Sequence, residues 1–241
     1  MKVALCFSGQ PRGFIKSFDN IKNSLIGTNE YDVFAHIWID ENLRGKPFRV
    51  DVPEDILEID AESIIQKKIK PTCITYSKQI MFKKKYMDSI SFPCFNLEKN
   101  PNPSQNIQSM FYSIYKSNEL KKEYEKINKM KYDCVIRCRT DYFFTKEYDL
   151  KSLNLEKLNI KSDCKHTEYA INDHLAISNS EAMDIYSDIF FNIKNYCSEG
   201  IEFNPEVLLG YHIMKNKIEL SKSLGDNEES FINSKIERSK N

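Results

Sequence analysis

The stretch that decides the fold is residues 3–13, VALCFSGQPRG. Its first five residues are all apolar, and its last six include two glycines and a proline, so it predicts a buried strand that ends in a tight loop. Apolar residues then recur at three- and four-residue spacing from Phe14 to Ile26, the stripe of a covering helix. A second apolar run, YDVFAHIWI at 31–39, completes a βαβ unit. This unit predicts a parallel sheet covered on both faces.

The rest of the chain continues the alternation of strands and helices. The predicted elements are a short helix near 64–65, a strand at 73–76, a helix at 106–130, strands at 132–136 and 174–177, a helix capped by Ser180 and a last helix opened by Pro205. Residues 83–106 are polar with three prolines, which favours a loop or lid. We therefore expect one α/β domain over residues 1–220, with a mostly parallel sheet, followed by a polar tail over 221–241.

Composition excludes several classes of protein. A chain of 241 residues that is 41% apolar can bury one large core, and 35 basic against 35 acidic residues remove the usual case for a nucleic-acid binder. Peripheral membrane contact through local basic patches is compatible with this balance, but no apolar stretch is long enough to span a bilayer. The 7 cysteines are scattered and odd in number, which favours reduced thiols and a cytoplasmic location.

Three polar clusters fall at strand ends, where open α/β sheets bind ligands. They are Ser8–Arg12, Arg137–Asp141 and Asn172–His174. In the first cluster, Ser8, Gly9, Gln10 and Arg12 suit a phosphate approached by the main chain, although an ordinary turn with a solvated Arg12 is equally compatible.

The second cluster, RCRTD at 137–141, places two guanidiniums and a carboxylate directly after a buried strand. A carboxylate there can hold a divalent cation, and arginines can bind phosphate oxygens through two hydrogen bonds. The alternative is an Arg–Asp ion pair that ends the strand.

These segments, in this order, resemble a group of nucleotide-sugar glycosyltransferases with a GT-A-like fold that act in capsule and lipopolysaccharide synthesis and also occur in large DNA viruses. The segments are SGQPR, YDVFAHIW, NIQSMFYSIYKSNEL, RCRTD, NDHLAIS and NPEVLLGYHI, and together they cover about residues 1–215. The resemblance implies a Rossmann-like single domain, a nucleotide-sugar donor and a glycan or lipid-linked acceptor. It also implies that a short acidic motif holds the diphosphate through Mn²⁺ or Mg²⁺.

By position, Asp141 resembles the last acid of the Asp-x-Asp motif of that superfamily, while Arg139 occupies the place of the first. A cation at Asp141 then needs further ligands. Without a cation, Arg139 and Arg12 would neutralise the leaving nucleoside diphosphate directly.

An inverting transferase also needs a base for the acceptor hydroxyl. Asp173 and His174 are the first candidates and Glu206 is the next, although Asp173 can instead cap a turn and Glu206 can complement a helix dipole. Trp38 suits either base stacking or a buried core. We assign four other aromatic residues to the core or cleft lining: Tyr112, Tyr115, Phe143 and Phe144.

The sequence therefore predicts a glycosyltransferase. Two alternatives stay open. One is a nucleotide- or glycan-binding module with a degenerate site, which the incomplete acidic motif favours. The other is a sulfotransferase, against which Gln10-Pro11 interrupt the expected phosphate loop.

Overall fold

The computed structural model of the chain describes residues 1–49, 52–82, 103–144, 147–160, 170–221 and 234–236. Strands and helices alternate along most of it. The strands are β1 (Lys2–Gly9), β2 (Glu30–Trp38), β3 (Pro47–Arg49), β4 (Val52–Ile56), β5 (Cys73–Ser77), β6 (Cys134–Arg139), β7 (Tyr142–Phe144), β8 (Leu158–Ile160), β9 (Leu175–Ser178), β10 (Leu220–Ser221) and β11 (Ser234–Ile236). The helices are α1 (Phe14–Ile21), α2 (Ala61–Ile69), α3 (Pro103–Asn128), α4 (Ser180–Ser187), α5 (Ile193–Ser198) and α6 (Pro205–Lys215).

Seven strands form one mixed sheet in the order β10-β8-β9-β6-β1-β2-β5. The four strands β5, β2, β1 and β6 run parallel, whereas β9 runs antiparallel to both β6 and β8. Because β9 is reversed, its first residues lie at the same sheet edge as the last residues of β1 and β6. We call this side of the molecule the carboxyl edge.

The sheet is covered on both faces, as the opening βαβ unit predicts. On one face, which we call the α1 face, β1 and β6 pack against α1 and α2 through side chains such as Phe18, Ile21 and Ile65. On the other, the α3 face, they pack against α3, α4, α5 and α6 through side chains such as Phe111, Tyr186 and Leu209. Long apolar runs in β1 and β6 exist because both faces of these strands are buried.

Most predicted elements are confirmed, with two corrections at helix starts. The long helix begins at Pro103 and not at Asn106, so residues 103–106 are helical, while 83–102 of the predicted loop lie outside the described residues. The cap of α4 is Asn179 and not Ser180, because the Asn179 side chain accepts a hydrogen bond from the backbone N–H of Ala182 at 2.9 Å.

Six short strands of the described structure were not predicted: β3, β4, β7, β8, β10 and β11. Most of the predicted polar tail lies outside the described residues, but Ser234–Ile236 pairs antiparallel with β7. Among the helices that the structure describes, none is long and apolar enough to cross a membrane.

Candidate functional site

The three polar clusters meet at the carboxyl edge. The Thr140 hydroxyl donates a hydrogen bond to the backbone carbonyl of Gln10, which joins the loop after β1 to the turn after β6. The backbone N–H of Arg139 donates to the carbonyl of His174 at 3.1 Å, which joins that turn to the segment before β9. The three clusters, each predicted at a strand end, therefore lie together at one edge of the sheet.

The loop after β1 is shaped by glycine. Gly9 has φ of 123°, a value that L side chains rarely adopt, while the space beside its α-carbon is open. The requirement for glycine there is therefore conformational and does not come from crowding. The Arg12 side chain folds back so that its Nε donates to the Gln10 side-chain oxygen at 2.9 Å. The loop thus presents a small backbone turn with one guanidinium beside it.

Arg139 and Asp141 form a two-pronged ion pair. Nε and Nη2 of Arg139 each donate to a different oxygen of Asp141, both at 2.8 Å. Burial disfavours the charged carboxylate, but the hydrogen bonds from Arg139 and the nearby charge of Arg12 outweigh it and hold the pKa of Asp141 below its ordinary value. The alternative prediction of an Arg–Asp pair at the end of the strand describes this contact.

This pairing bears on the expected divalent cation. Both oxygens of Asp141 already accept hydrogen bonds from Arg139, and no group of three or more His, Cys, Asp or Glu side chains that could hold a metal occurs in the described part of the chain. A hard cation needs several oxygen ligands at once. In this arrangement a cation at Asp141 would draw its further ligands from the donor diphosphate or from water, and we route no chemical step through a metal.

The three candidate bases lie in two neighbouring segments. Asp173 is buried, and its Oδ1 is 3.4 Å from Nε2 of His174. Burial lowers the pKa of His174, against the opposing effect of Asp173. Glu206 lies in the first turn of α6, and its carbonyl accepts a hydrogen bond from the N–H of Ile171 at 3.2 Å. The first turn of α6 therefore adjoins the segment that carries Asp173.

Arg137 is the most unusual side chain at this edge. It is 1% exposed, and its Nε, Nη1 and Nη2 atoms are all buried without a hydrogen-bond partner in the described part of the chain. Buried guanidiniums are normally paired, because an unpaired buried charge is costly. Arg137 is thus a fully buried cation whose donors are all unused.

The strand register fixes the face on which Arg137 lies. Arg137 is paired in register with Cys6 of β1 and Ala176 of β9, and both belong to the α3-face core. Burial raises the pKa of the Tyr186 hydroxyl on α4 to about 12, and the charges of Arg137 and Asp173 both act on it. The guanidinium therefore lies beneath α4, within electrostatic range of the carboxyl edge.

Two buried hydroxyls accompany Arg137 on this face. Among the described residues, the hydroxyl oxygens of Ser8 and Tyr186 also lack hydrogen-bond partners, and Ser8 is paired in register with Arg139. Because side chains alternate along a strand, Ser8, Arg137 and Arg139 all point to the α3 face. We call Ser8, Arg137 and Tyr186 the unpaired donor group.

The aromatic residues next to the edge are structural. Trp38 is buried, and its indole N–H donates to the carbonyl of Ser109 on α3 at 3.2 Å. Tyr112 stacks on Trp38 with ring centroids 5.7 Å apart. His36 is fully buried, with Nδ1 2.8 Å from the Ser113 hydroxyl. Of the other aromatic residues assigned to the core or cleft lining, Phe144 is buried, whereas Tyr115 and Phe143 are half-buried.

The unpaired donor group was not predicted as a unit, although Arg137 and Ser8 each belong to a predicted cluster. The signal in the sequence was an arginine inside an apolar strand, two residues before its end. Tyr186 gave no signal, because it has the spacing of an ordinary core residue of α4. In comparisons with known proteins, no protein-family model matches this chain and no curated protein sequence matches it.

Proposed function

We propose that this chain is a glycosyltransferase that moves a sugar from a nucleotide diphosphate sugar to a glycan or lipid-linked acceptor in surface polysaccharide synthesis. The observation that carries the proposal is the convergence of the Ser8–Arg12 loop, the Arg139–Asp141 pair and Asp173 at one edge of a mostly parallel sheet. Parallel sheets bind nucleotides at such edges.

The charges at this edge suit a diphosphate. Ser8, Gly9, Gln10 and Arg12 supply backbone and side-chain donors on one side, and Arg139 supplies a guanidinium on the other. Only Nε and Nη2 of Arg139 donate to Asp141, which leaves further N–H groups of the guanidinium for phosphate oxygens. The arginines would stabilise the negative charge that develops on the leaving nucleoside diphosphate.

In the proposed reaction the bond between the anomeric carbon and the diphosphate oxygen breaks, and a bond from that carbon to the acceptor oxygen forms. Asp173 accepts the proton of the acceptor hydroxyl, with Glu206 as the second candidate. The position of Asp173, buried beside Arg139 at the same edge, supports its choice. The assignment of Mn²⁺ or Mg²⁺ to Asp141 stays a prediction.

The first test is a thermal-shift screen against UDP-, GDP-, CMP- and TDP-sugars and phosphoadenosine phosphosulfate, each with and without Mn²⁺. A ligand at a hundred times its dissociation constant stabilises a fold by about 2.7 kcal/mol, which is readily measured. A shift with one nucleotide sugar supports the proposal. A preference for phosphoadenosine phosphosulfate would support a sulfotransferase instead.

The second test separates binding from turnover. Asp173→Asn should keep the thermal shift with the donor and lose release of nucleoside diphosphate, because only proton transfer is removed. The exposed Asp60→Asn is the matched control and should keep both. If the wild-type protein binds a donor but releases no nucleoside diphosphate with any acceptor tested, the chain is a binding module.

A further inference from the structure

The unpaired donor group raises the question of what Arg137 binds. A guanidinium is always protonated at physiological pH, so burial cannot remove its charge. All three of its nitrogen atoms are buried without partners, and the hydroxyls of Ser8 and Tyr186 are in the same condition. Buried donors in native proteins are nearly always paired, so several unpaired donors on one face call for hydrogen-bond acceptors that the described residues do not supply.

The neighbouring carboxylates of Asp141 and Asp173 do not form an ion pair with Arg137. Asp141 is bound to Arg139 through both of its oxygens, and the described contact of Asp173 is with Nε2 of His174, 3.4 Å from its Oδ1. No carboxylate in the described part of the chain lies within ion-pair distance of the Arg137 guanidinium, which leaves its charge without a counter-ion from those residues.

The long helix begins on the same side of the sheet. The chain leaves α3 and enters β6 at its amino end, so the N-terminus of α3 lies at the carboxyl edge. Consistent with this, the helix contacts the last residues of β2 through Ser109 and Ser113. A helix N-terminus carries a partial positive charge, which favours an anion on this side of the sheet.

We propose that Arg137, with the hydroxyls of Ser8 and Tyr186, forms a buried subsite for an oxyanion of the substrate, and that it selects a substrate carrying such a group. Resting on the proposed function, the ligand is a sugar nucleotide. The oxyanion is either a carboxylate on the transferred sugar or a phosphate of the donor, since the flat fork of an arginine matches both through two parallel hydrogen bonds.

The subsite is distinct from the loop after β1. Arg137 lies two residues inside the strand, beneath α4, whereas Arg12 and Gln10 lie beyond the end of β1. An anion that reaches Arg137 has therefore passed the edge and entered the α3 face. The inner position of Arg137 makes it a specificity-determining residue, in addition to the arginines that face the diphosphate.

The experiment compares wild type with Arg137→Met, Arg137→Lys and the control Arg44→Met, which removes a surface arginine paired with Glu41 and Glu62. Melting temperature is measured without ligand and with UDP-glucose, UDP-glucuronate, UDP, sodium glucuronate or sodium phosphate, at constant ionic strength. Without ligand, Arg137→Met should melt roughly 2 °C or more above wild type, because an unpaired buried charge has been removed. Arg44→Met should show no such gain.

With ligand, Arg137→Met should lose the response to the oxyanion. The dissociation constant of the responding ligand should rise roughly tenfold or more in Arg137→Met. In Arg137→Lys, which keeps the charge but not the planar guanidinium, the dissociation constant should lie between those of wild type and Arg137→Met. A response to glucuronate and UDP-glucuronate that exceeds the response to UDP-glucose identifies a carboxylate. Equal responses to UDP, UDP-glucose and UDP-glucuronate, all lost in Arg137→Met, identify a phosphate.

The outcomes also separate this proposal from the proposed function. If UDP-glucose or UDP-glucuronate stabilises wild type and Arg137→Met equally, the transferase proposal stands and the subsite is wrong. If no nucleotide shifts wild type but glucuronate or phosphate does so through Arg137, the subsite stands and the transferase proposal loses its support. A lower melting temperature of ligand-free Arg137→Met, or no response of wild type to any probe, overturns the subsite.

Discussion

Two cations are buried on the α3 face, and they differ in their hydrogen-bond and ion-pair partners. Lys121 of α3 is 0% exposed, and its Nζ donates to the Ser180 hydroxyl at 2.6 Å and to Asp184 at 2.7 Å, with Glu125 at 3.3 Å. Arg137 of β6 is 1% exposed and has none of these partners within the described residues. The same layer of the protein therefore holds one cation that is fully paired and one that is not.

The difference teaches how to separate a structural charge from a functional one. The partners of Lys121 come from α3 and α4, so its network joins two helices and serves the fold. Arg137 joins no elements in this way, because no group in the described structure accepts a hydrogen bond from its guanidinium. A buried charge that stabilises nothing in the folded chain is kept for what it binds.

The largest effect should come from breaking the paired cation. Lys121→Met removes the buried cation beside Glu125 and leaves, among the described residues, only the exposed Lys131 to pair with it, at 3.1 Å. We expect the free energy of unfolding to fall by up to about 3–5 kcal/mol, the opposite sign to Arg137→Met. Urea denaturation of both variants measures the contrast. Adding Glu125→Gln to Lys121→Met should recover part of the loss, and equal losses in the single and double variants would contradict the assignment of a charge pair.

Asp141→Asn tests an intermediate case, a buried pair at the site. Loss of the charge-assisted hydrogen bonds to Arg139 should cost about 1.5–3 kcal/mol of stability. The pKa of Asp141 lies below its ordinary value of 3.8, so this stability is present above pH 3.8 and is lost as the pH falls further. Acid titration of the melting temperature should therefore be shallower in the variant. Full turnover by Asp141→Asn would also exclude a role of its charge in the reaction.

His36 is a third buried titratable group, and its neutral form is the one that the fold favours. Burial lowers the pKa of His36 from 6.5 to about 4, with a smaller effect of Lys116, so the folded state disfavours its protonation. The stability that the neutral His36 contributes to the fold is therefore fully present above pH 6.5 and declines as the pH falls toward 4. The free energy of unfolding should lose up to about 1.4 kcal/mol per pH unit for this group.

The measurement is urea denaturation of wild type and His36→Gln between pH 7 and pH 5. Burial also lowers the pKa of His174 and of His212. The free energy of unfolding of the variant should therefore still depend on pH, but less steeply than that of wild type, because the effect of His36 is removed. Identical slopes in the two proteins would show that His36 does not contribute.

The smallest effect concerns an uncharged contact beside the site. The Asn204 side chain caps α6 by accepting hydrogen bonds from the N–H groups of Glu206 at 2.9 Å and Val207 at 3.3 Å. Asn204→Ala should lower stability by about 1 kcal/mol, and Asn204→Ser, which preserves a cap, should lower it less. Thermal melting of the two variants checks this order. A larger loss in the serine variant would mean that Asn204 does more than cap the helix.

The sequence predicted the elements that are long or strongly patterned. β1, β2 and β6 are apolar runs because both their faces are buried, and α3 has 26 residues. By contrast, β7 and β8 have three residues each, too few for any periodicity to appear, and tertiary pairing alone defines them. The reversed direction of β9 follows from the path of the chain around the sheet, which no local pattern records.

The site was predicted in its location and only partly in its contacts. Polar residues at the ends of β1 and β6 indicated where the clusters of Ser8 and Arg139 would meet, because parallel strands end at one edge. Asp173 reaches the same edge only through the reversed direction of β9. Side-chain alternation places both arginines of RCRTD on the α3 face, so which of them is paired depends on the turn at Thr140. Arg139 reaches back to Asp141, whereas Arg137 points beneath α4, and only the three-dimensional arrangement separates them.

Two buried cysteines on the opposite side of β6 report on the opening of the strand that carries Arg137. Cys134 and Cys138 are buried on the α1 face, and burial raises the pKa of Cys134 to about 12 and that of Cys138 further. A thiol in this state resists alkylation until the strand separates from its neighbours. The rate at which iodoacetamide modifies these two cysteines therefore measures how often the sheet opens directly behind the site. The half-buried Cys197 serves as the reference thiol.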